Sequence, residues 1–367
     1  MKKLRSVAAL VRTAAARVTR PGRHYGYIGF VGHANLGDEA MLEAAHALLG
    51  ERVEPLATPA IERVLGAVGL GGSSRHPLVF LGGGTLVNGG YIDMVEASLG
   101  SGARVATLGT GVGSPGLSAG EGDLDPRWTH ALARFFRVGV RGPLSLARLK
   151  AAGVGQAEIL GDLALAMTPE RPCSDTGART LIFNTTAGKT EQDRALLAKF
   201  DTAMAMIMRE LVEDGWRILP VSFHEDDVEP LRAVLDGAGL SGLRIEKPAT
   251  FAQYKVLAST ASASVSVRLH ASVLASMCGV ANLLLGYRSK CEDFCASIGV
   301  PENVIAYADF TEAELREKVA RMIAGKAVSG TRLHAACLAL QDNLRRYVED
   351  VSRGVDIRPK SEGSMPS

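Results

Sequence analysis

Residues 263–290 read ASVSVRLHASVLASMCGVANLLLGYRSK. A short apolar run (Ala263–Val267) passes into a helical pattern (Ala271–Cys278) and then into a second apolar run (Asn282–Gly286). Two such runs joined by a helix define a βαβ unit, whose strands are parallel. The same alternation extends outward in both directions. Upstream in the second half, strands are predicted near Thr180–Asn184, Arg217–Val221 and Leu243–Ile245, with helices near Asp193–Asp214, Glu229–Gly237 and Phe251–Ser259. Downstream, helices are expected at Lys290–Ile298, Glu312–Ala324 and Leu333–Ser352. Residues 169–179 (PERPCSDTGAR) are polar and proline-rich, and no hydrophobic period crosses them. Before this break the pattern predicts strands near Tyr27–Val31, Leu78–Leu81, Val105–Leu108, Phe136–Val140 and Glu158–Leu160, with helices at Glu39–Leu49 and Pro143–Ala152. The expected fold is α/β: two tandem doubly wound, Rossmann-like domains whose strand C-terminal ends face a shared cleft. The expected boundaries are a basic amphipathic segment at 1–22, an acceptor-side domain at 23–170, a donor-side domain at 178–310, C-terminal helices at 311–355 and a disordered tail at 356–367.

Composition supports a globular chain. Of 367 residues, 47% are hydrophobic and 22% charged, a length that suits two domains. Glycine is in excess at 41 residues, about 11% against a usual ~7%. Net charge is +2, yet residues 1–37 hold seven cations (Lys2, Lys3, Arg5, Arg12, Arg17, Arg20, Arg23) and no acid, leaving the remainder near −5. A body of that sign is not a nucleic-acid binder. The apolar stretch Val7–Val11 is broken by Arg12 and is too short for a signal peptide, and no run is long enough to span a bilayer. Apolar residues at 4, 7, 8, 11, 15 and 18 recur at helical spacing, which fits a helix on an anionic membrane surface and equally a solvated basic helix. Five cysteines with no CxxC point to reduced thiols and a cytoplasmic setting. Cys291 and Cys295, four apart, read as structural thiols, and no metal site or cofactor is expected.

Five constellations sit where strands end. Gly32-His33-Ala34-Asn35-Leu36-Gly37-Asp38-Glu39 follows the first strand and brings backbone amides and a helix start to bear on an anion or hydroxyl, although Asp38 could simply cap the helix and Asn35 shape the turn. Gly82-Gly83-Gly84 leaves the next strand as bare backbone. Gly109-Thr110-Gly111-Val112-Gly113 has the wrong spacing for a dinucleotide loop. Arg268 and His270, at i and i+2 of an extended chain, are expected to project together beside a helix N-terminus as an anion site with a proton donor. Lys290, in Tyr287-Arg288-Ser289-Lys290 one βα unit later, reaches the same anion if the two strands are neighbours. Arg141 at a strand end is a smaller candidate. The run His224-Glu225-Asp226-Asp227 after the strand Arg217–Val221 is another smaller candidate that could touch ligand, and it reads more readily as an exposed helix start.

In this order the pieces resemble the polysaccharide pyruvyl transferase family: Asn35-x-Gly37-Asp38, Gly82-Gly83-Gly84, Val140-Arg141, Gly161-Asp162, Arg268-Leu269-His270-Ala271, and Tyr287-x-x-Lys290 with Phe294 behind it. The similarity spans roughly residues 25–310. The family usually has Arg-Asp where this chain has Arg141-Gly142, so a contact or cap made by that Asp is missing. The resemblance implies a fold similar to the GT-B glycosyltransferases. It also implies transfer of a pyruvyl group from phosphoenolpyruvate, the co-substrate, to a saccharide or lipid-linked saccharide acceptor, with ketal formation and release of phosphate. Arg268, Leu269, His270 and Lys290 would then bind the donor, and Asn35, Asp38, Gly83, Gly84 and Arg141 the acceptor. His270 would act as general acid, Arg268 and Lys290 would hold the donor's charges, and Asp38 would orient or deprotonate the acceptor. Lipid-linked acceptors would give residues 1–20 a membrane-surface role on the cytoplasmic face. A nucleotide-sugar glycosyltransferase, or a catalytically silent protein of the same fold, is the competing expectation.

Overall fold

The structure, a computed structural model, describes residues 2–113, 124–307 and 310–355, with side chains from residue 10 onward; the expected tail at 356–367 lies outside the described residues. The first half contributes strands β1 (Tyr25–Ile28), β2 (Val53–Pro55), β3 (Leu78–Leu81), β4 (Gly84–Val87), β5 (Arg104–Thr107), β6 (Thr110–Val112), β7 (Val138–Val140) and β8 (Ala157–Ile159). The second half contributes β9 (Thr180–Asn184), β10 (Arg217–Pro220), β11 (Ala263–Ser266), β12 (Ala281–Gly286) and β13 (Val304–Ala306). All pairings among them are parallel. Central strands such as β3 (LVFL) and β9 (TLIFN) are buried along their whole length, as expected for parallel sheets covered on both faces.

In the first half the strand order is β2-β1-β3-β5. Beyond β3 and β5 the chain bends and resumes as β4 and β6, which join β7 and β8 in the order β4-β6-β7-β8. Gly84 opens β4 at φ +94°, a left-handed backbone that glycine adopts without strain. An Ala106–Arg137 bridge ties the two parts together. In the second half the order is β10-β9-β11-β12-β13, with Ser266 of β11 opposite Asn184 on one side and Leu284 on the other. Strand order reverses between β1 and β3 and again between β9 and β11. These are the switch points where open α/β sheets form crevices, and the loops leaving β1, β3 and β11 carry most of the candidate residues.

Several expectations shift. Leu243–Ile245 is not a strand: this segment makes a single bridge, Glu246 N to Pro220 O (2.9 Å) and Ser222 N to Glu246 O (2.9 Å). Gly242 and Pro248 bracket too few residues there to extend a ladder. β11 stops at Ser266, and Leu269–Met277 is already helix with Arg268 at its N-cap. His270 therefore lies in the first turn of a helix and not in an extended chain with Arg268. The last helix begins at Lys326 and runs to Ser352.

The halves share one core. Tyr27, Met41 and Leu163 from the first cluster with Leu269, Leu274 and Leu284 from the second, and with Leu340, Leu344 and Tyr347 of the last helix. That helix returns to the first half: Tyr347 Oη donates to Thr107 O (2.8 Å), and Gln341 Nε2 to Ala166 O (2.8 Å) and Thr168 O (2.9 Å). At the other end of the chain, the Arg17 side chain is buried and binds Glu54, Glu62 (2.7 Å) and Leu70 O (2.9 Å).

Candidate active site

A cavity of about 130 Å³ between the two halves is lined by Asn35, Asp38, Gly84, Thr85, Arg141, Phe223, Arg268, Leu269, His270 and Lys290. A larger hollow of about 580 Å³, elsewhere in the first half, holds none of the expected site residues. The smaller cavity is thus where the chemistry gathers.

The loop after β1 supplies one wall. Asn35 caps the helix Leu36–Leu49, its side chain accepting from Gly37 N (3.0 Å). Leu36 N reaches across to Phe223 O in the second half (2.9 Å). Gly37 has a separate role. A Cβ at this position would fall on the imidazole of His270, so the absence of a side chain lets the ring pack against the loop. Asp38, one residue on, faces the cavity.

The cations come from both halves. Arg141, at the end of β7, is fully buried; its Nη2 donates to Gly84 O (2.9 Å) and Thr85 Oγ1 (3.1 Å), while Nε and Nη1 make no hydrogen bond and Nε pairs only loosely with Asp162 Oδ2 (3.7 Å). Buried guanidinium hydrogens without acceptors are costly, and here they lie at a cavity wall. Arg141, expected on the acceptor side, lines the same cavity as Asn35, Asp38 and Gly84, and as the expected donor-side residues His270 and Lys290. Lys290 stands in the first turn of the helix Ser289–Ser297, and Tyr287, whose ring lies 5.4 Å from Nζ, raises its pKa. Because β11 and β12 are direct neighbours, Lys290 and Arg268 meet as expected.

Arg268 is less free than the sequence implied. Its Nε and Nη2 bind Asp227 at 2.9 and 2.5 Å, and its backbone N donates to Asn184 Oδ1 (3.0 Å). One edge of its fork is therefore occupied, leaving Nη1 on the cavity side. Asp227 is itself fully buried, where the run His224–Asp227 was expected to be an exposed helix start. Its carboxylate also accepts from Phe223 N (3.0 Å), fixing the loop that forms the rear of the cavity.

His270 and Asp38 are cavity groups whose pKa values move in opposite directions. Burial, opposed by Asp162 and reinforced by the cations Lys290, Arg141 and Arg268, lowers the His270 pKa to about 4. That shift favours a neutral imidazole at pH 7, where the sequence reading expected a proton donor. Burial raises Asp38 to about 7, partly offset by Lys290 and Arg268. Behind both lies Asp162, fully buried, with Oδ2 unpartnered 3.7 Å from Arg141 Nε and 3.8 Å from His270 Nε2.

The sequence reading missed Thr85 and Phe223 as site-forming groups, and it noted Asp162 in Gly161-Asp162 and Asp227 in the run His224–Asp227 without giving either a part in the site. Asp162 and Asp227 had a usable signal, since each follows the end of a strand on the cleft side. Gly83 does not line the cavity; a Cβ there would press on Met41 Sδ and Leu163, so its bareness serves packing.

Two parallel-sheet halves with a cation-lined cavity at their shared switch points define a GT-B-like fold. The chain resembles UDP-GlcNAc 2-epimerase from Neisseria meningitidis (TM-score 0.56, 11% identity, covering 90% of this chain and all of that one). It also resembles the epimerase from Methanocaldococcus jannaschii (0.53, 10%, 90% and 100%) and a glycosyltransferase from Rickettsia africae (0.50, 9%, 90% and 98%). At these identities the likeness is one of fold. No curated protein matches the chain. The polysaccharide pyruvyl transferase family model matches residues 35–289, most of the chain, and the protein belongs to that family.

Proposed function

We propose that the protein transfers the pyruvyl group of phosphoenolpyruvate to two hydroxyls of a saccharide, forming a ketal and releasing phosphate. The observation that carries this reading is the convergence of Arg141, Lys290 and Arg268, from both halves, with His270 on one small cavity. A donor bearing a phosphate and a carboxylate matches three fixed cations. Arg141 Nε and Nη1 would take one anionic group and Lys290 the other, with Arg268 Nη1 beside them.

The reaction balances as follows. A proton adds to the methylene carbon and one acceptor hydroxyl attacks C2, losing its own proton. A second hydroxyl then displaces phosphate, which leaves with the remaining proton. His270 can donate the first proton only when charged, and donor anions that neutralise Arg141 and Lys290 raise its pKa towards that state. Asp38, titrating near 7 on the wall that follows β1, is suited to exchange the acceptor's proton.

Isothermal titration of phosphoenolpyruvate in two buffers of different ionisation heat tests this. Saturable binding with proton uptake at pH 7 is expected, weakening as pH rises through the pKa of the bound form. Binding should be lost in Arg141→Ala and Lys290→Ala. Binding of UDP instead of phosphoenolpyruvate sinks the reading in favour of a nucleotide-sugar glycosyltransferase.

A lipid-linked acceptor would bring the protein to the cytoplasmic membrane face. Among the described residues no helix is long and apolar enough to cross a membrane. Val11 and Val18, seven apart on the helix Lys2–Thr19, are exposed and suit surface contact.

A further inference from the structure

The helix Pro143–Ala151 begins at Gly142, which has no side chain with which to cap it. Its first amides are capped from the other half of the molecule. Asp293 Oδ1 accepts from Leu144 N (2.9 Å) and Ser145 N (3.2 Å), and Oδ2 accepts from Ser145 Oγ (2.6 Å). These are the amides that an ordinary N-cap side chain would satisfy. Ser145 Oγ in turn accepts from Val112 N (3.0 Å), so the end of β6 joins the same chain of bonds. Asp293 is buried. A Cβ at position 142 would fall on the carbonyl oxygen and Oδ1 of Asp293, so bare backbone there lets the two helices touch.

The position of this contact gives it a role. Lys290 stands one turn before Asp293 on the helix Ser289–Ser297, and Arg141 directly precedes Gly142. The same carboxylate therefore spans the gap between the two elements that carry the facing cations. Arg141 and Lys290, one supplied by each half, repel one another, which favours their separation. A buried carboxylate on a helix N-terminus opposes that repulsion.

We propose that Asp293 is a positioning residue, a cap supplied by one half to the other that holds Arg141 and Lys290 at the spacing of a single doubly anionic donor. The proposal rests on the donor reading above for what the spacing serves, but not for the contact itself.

Amide exchange and phosphoenolpyruvate titration on Asp293→Ala, Asp293→Asn and Gly142→Ala test it. In Asp293→Ala, exchange at Leu144 and Ser145 should speed up at least about tenfold, and donor affinity should fall by a similar factor. Asp293→Asn keeps an oxygen for both amides and should stay within about threefold of wild type. Gly142→Ala keeps Asp293 but forces the helices apart, and should behave like Asp293→Ala. A purely structural role would lower the melting temperature while the folded variant kept wild-type donor affinity, and that result overturns the proposal. So does unchanged exchange at Leu144 and Ser145 in Asp293→Ala. If wild type itself does not bind phosphoenolpyruvate, the donor reading fails separately. Exchange at these two amides, with small-angle scattering for the spacing of the halves, then decides whether Asp293 holds them together.

Discussion

A carboxylic acid that keeps its proton to about pH 7 sets the pH behaviour of the cavity from within. The Asp38 pKa is raised in the fold above its ordinary value, so the folded protein holds a proton that the unfolded chain releases between about pH 4 and 7. Its contribution to stability is complete below that window and lost as pH rises through 7. Asp38→Asn should therefore leave the melting temperature unchanged near pH 4 and stabilise the protein by roughly 2 kcal/mol at pH 8, a figure discounted because the side chain faces the cavity. It should also remove the acceptor-side limb of the pH–rate profile near 7. His270 has the opposite sign: its pKa is lowered, so its contribution is present above about 6.5 and lost as pH falls through about 4. Thermal melts of each variant against wild type across pH 4–8 separate the two groups, and a flat Asp38→Asn difference would refute the assignment. At this scale the sequence was informative about identity and poor about state. Arg268, His270, Lys290, Asn35 and Asp38 could be picked out because they leave strand ends in a parallel sheet. That Asp227 occupies one edge of Arg268, or that His270 is neutral, depends on burial among residues 40 to more than 200 positions away, which local pattern does not encode.

Elements meet at Gly37. The loop after β1 and the helix Leu269–Met277 come from different halves, and the imidazole of His270 lies where a side chain on residue 37 would be. Gly37→Ala should displace the ring, lowering turnover at least about 100-fold and stability by about 1–3 kcal/mol through overpacking. Combining it with His270→Ala makes room for the new methyl, so the double variant should regain most of the lost stability. Additive losses in denaturant melts would show that the two positions are not in contact. The helix pattern was legible to within a few residues wherever the apolar period was long, as at Glu312–Ala324 and Glu191–Glu213. Four short strands were not. β2, β4, β6 and β13 are three or four residues each, and β4 and β6 exist because the chain bends at glycines and re-pairs, a tertiary event with no period of its own.

At the scale of the whole molecule, the two ends of the chain are structural members. Of the seven N-terminal cations, Arg17 turns inward onto Glu54 and Glu62. Arg17→Ala removes a buried guanidinium from two half-buried carboxylates, of which Glu54 keeps Arg75 and Glu62 keeps Ala57 N, and should destabilise the protein by about 1–3 kcal/mol. It should leave liposome co-sedimentation unchanged, whereas Val11→Ser with Val18→Ser should reduce co-sedimentation and spare the melting temperature; the converse pattern would assign the helix to packing alone. The last helix, Lys326–Ser352, has a different consequence. It covers the first half through Gln341, Leu344 and Tyr347, although it is synthesised after both halves. The first α/β layer therefore leaves the ribosome with its apolar seam open until residues 326–352 follow. A stop codon near position 325 would spare all the candidate catalytic groups and still yield an aggregating product, because it removes the helix that closes that seam.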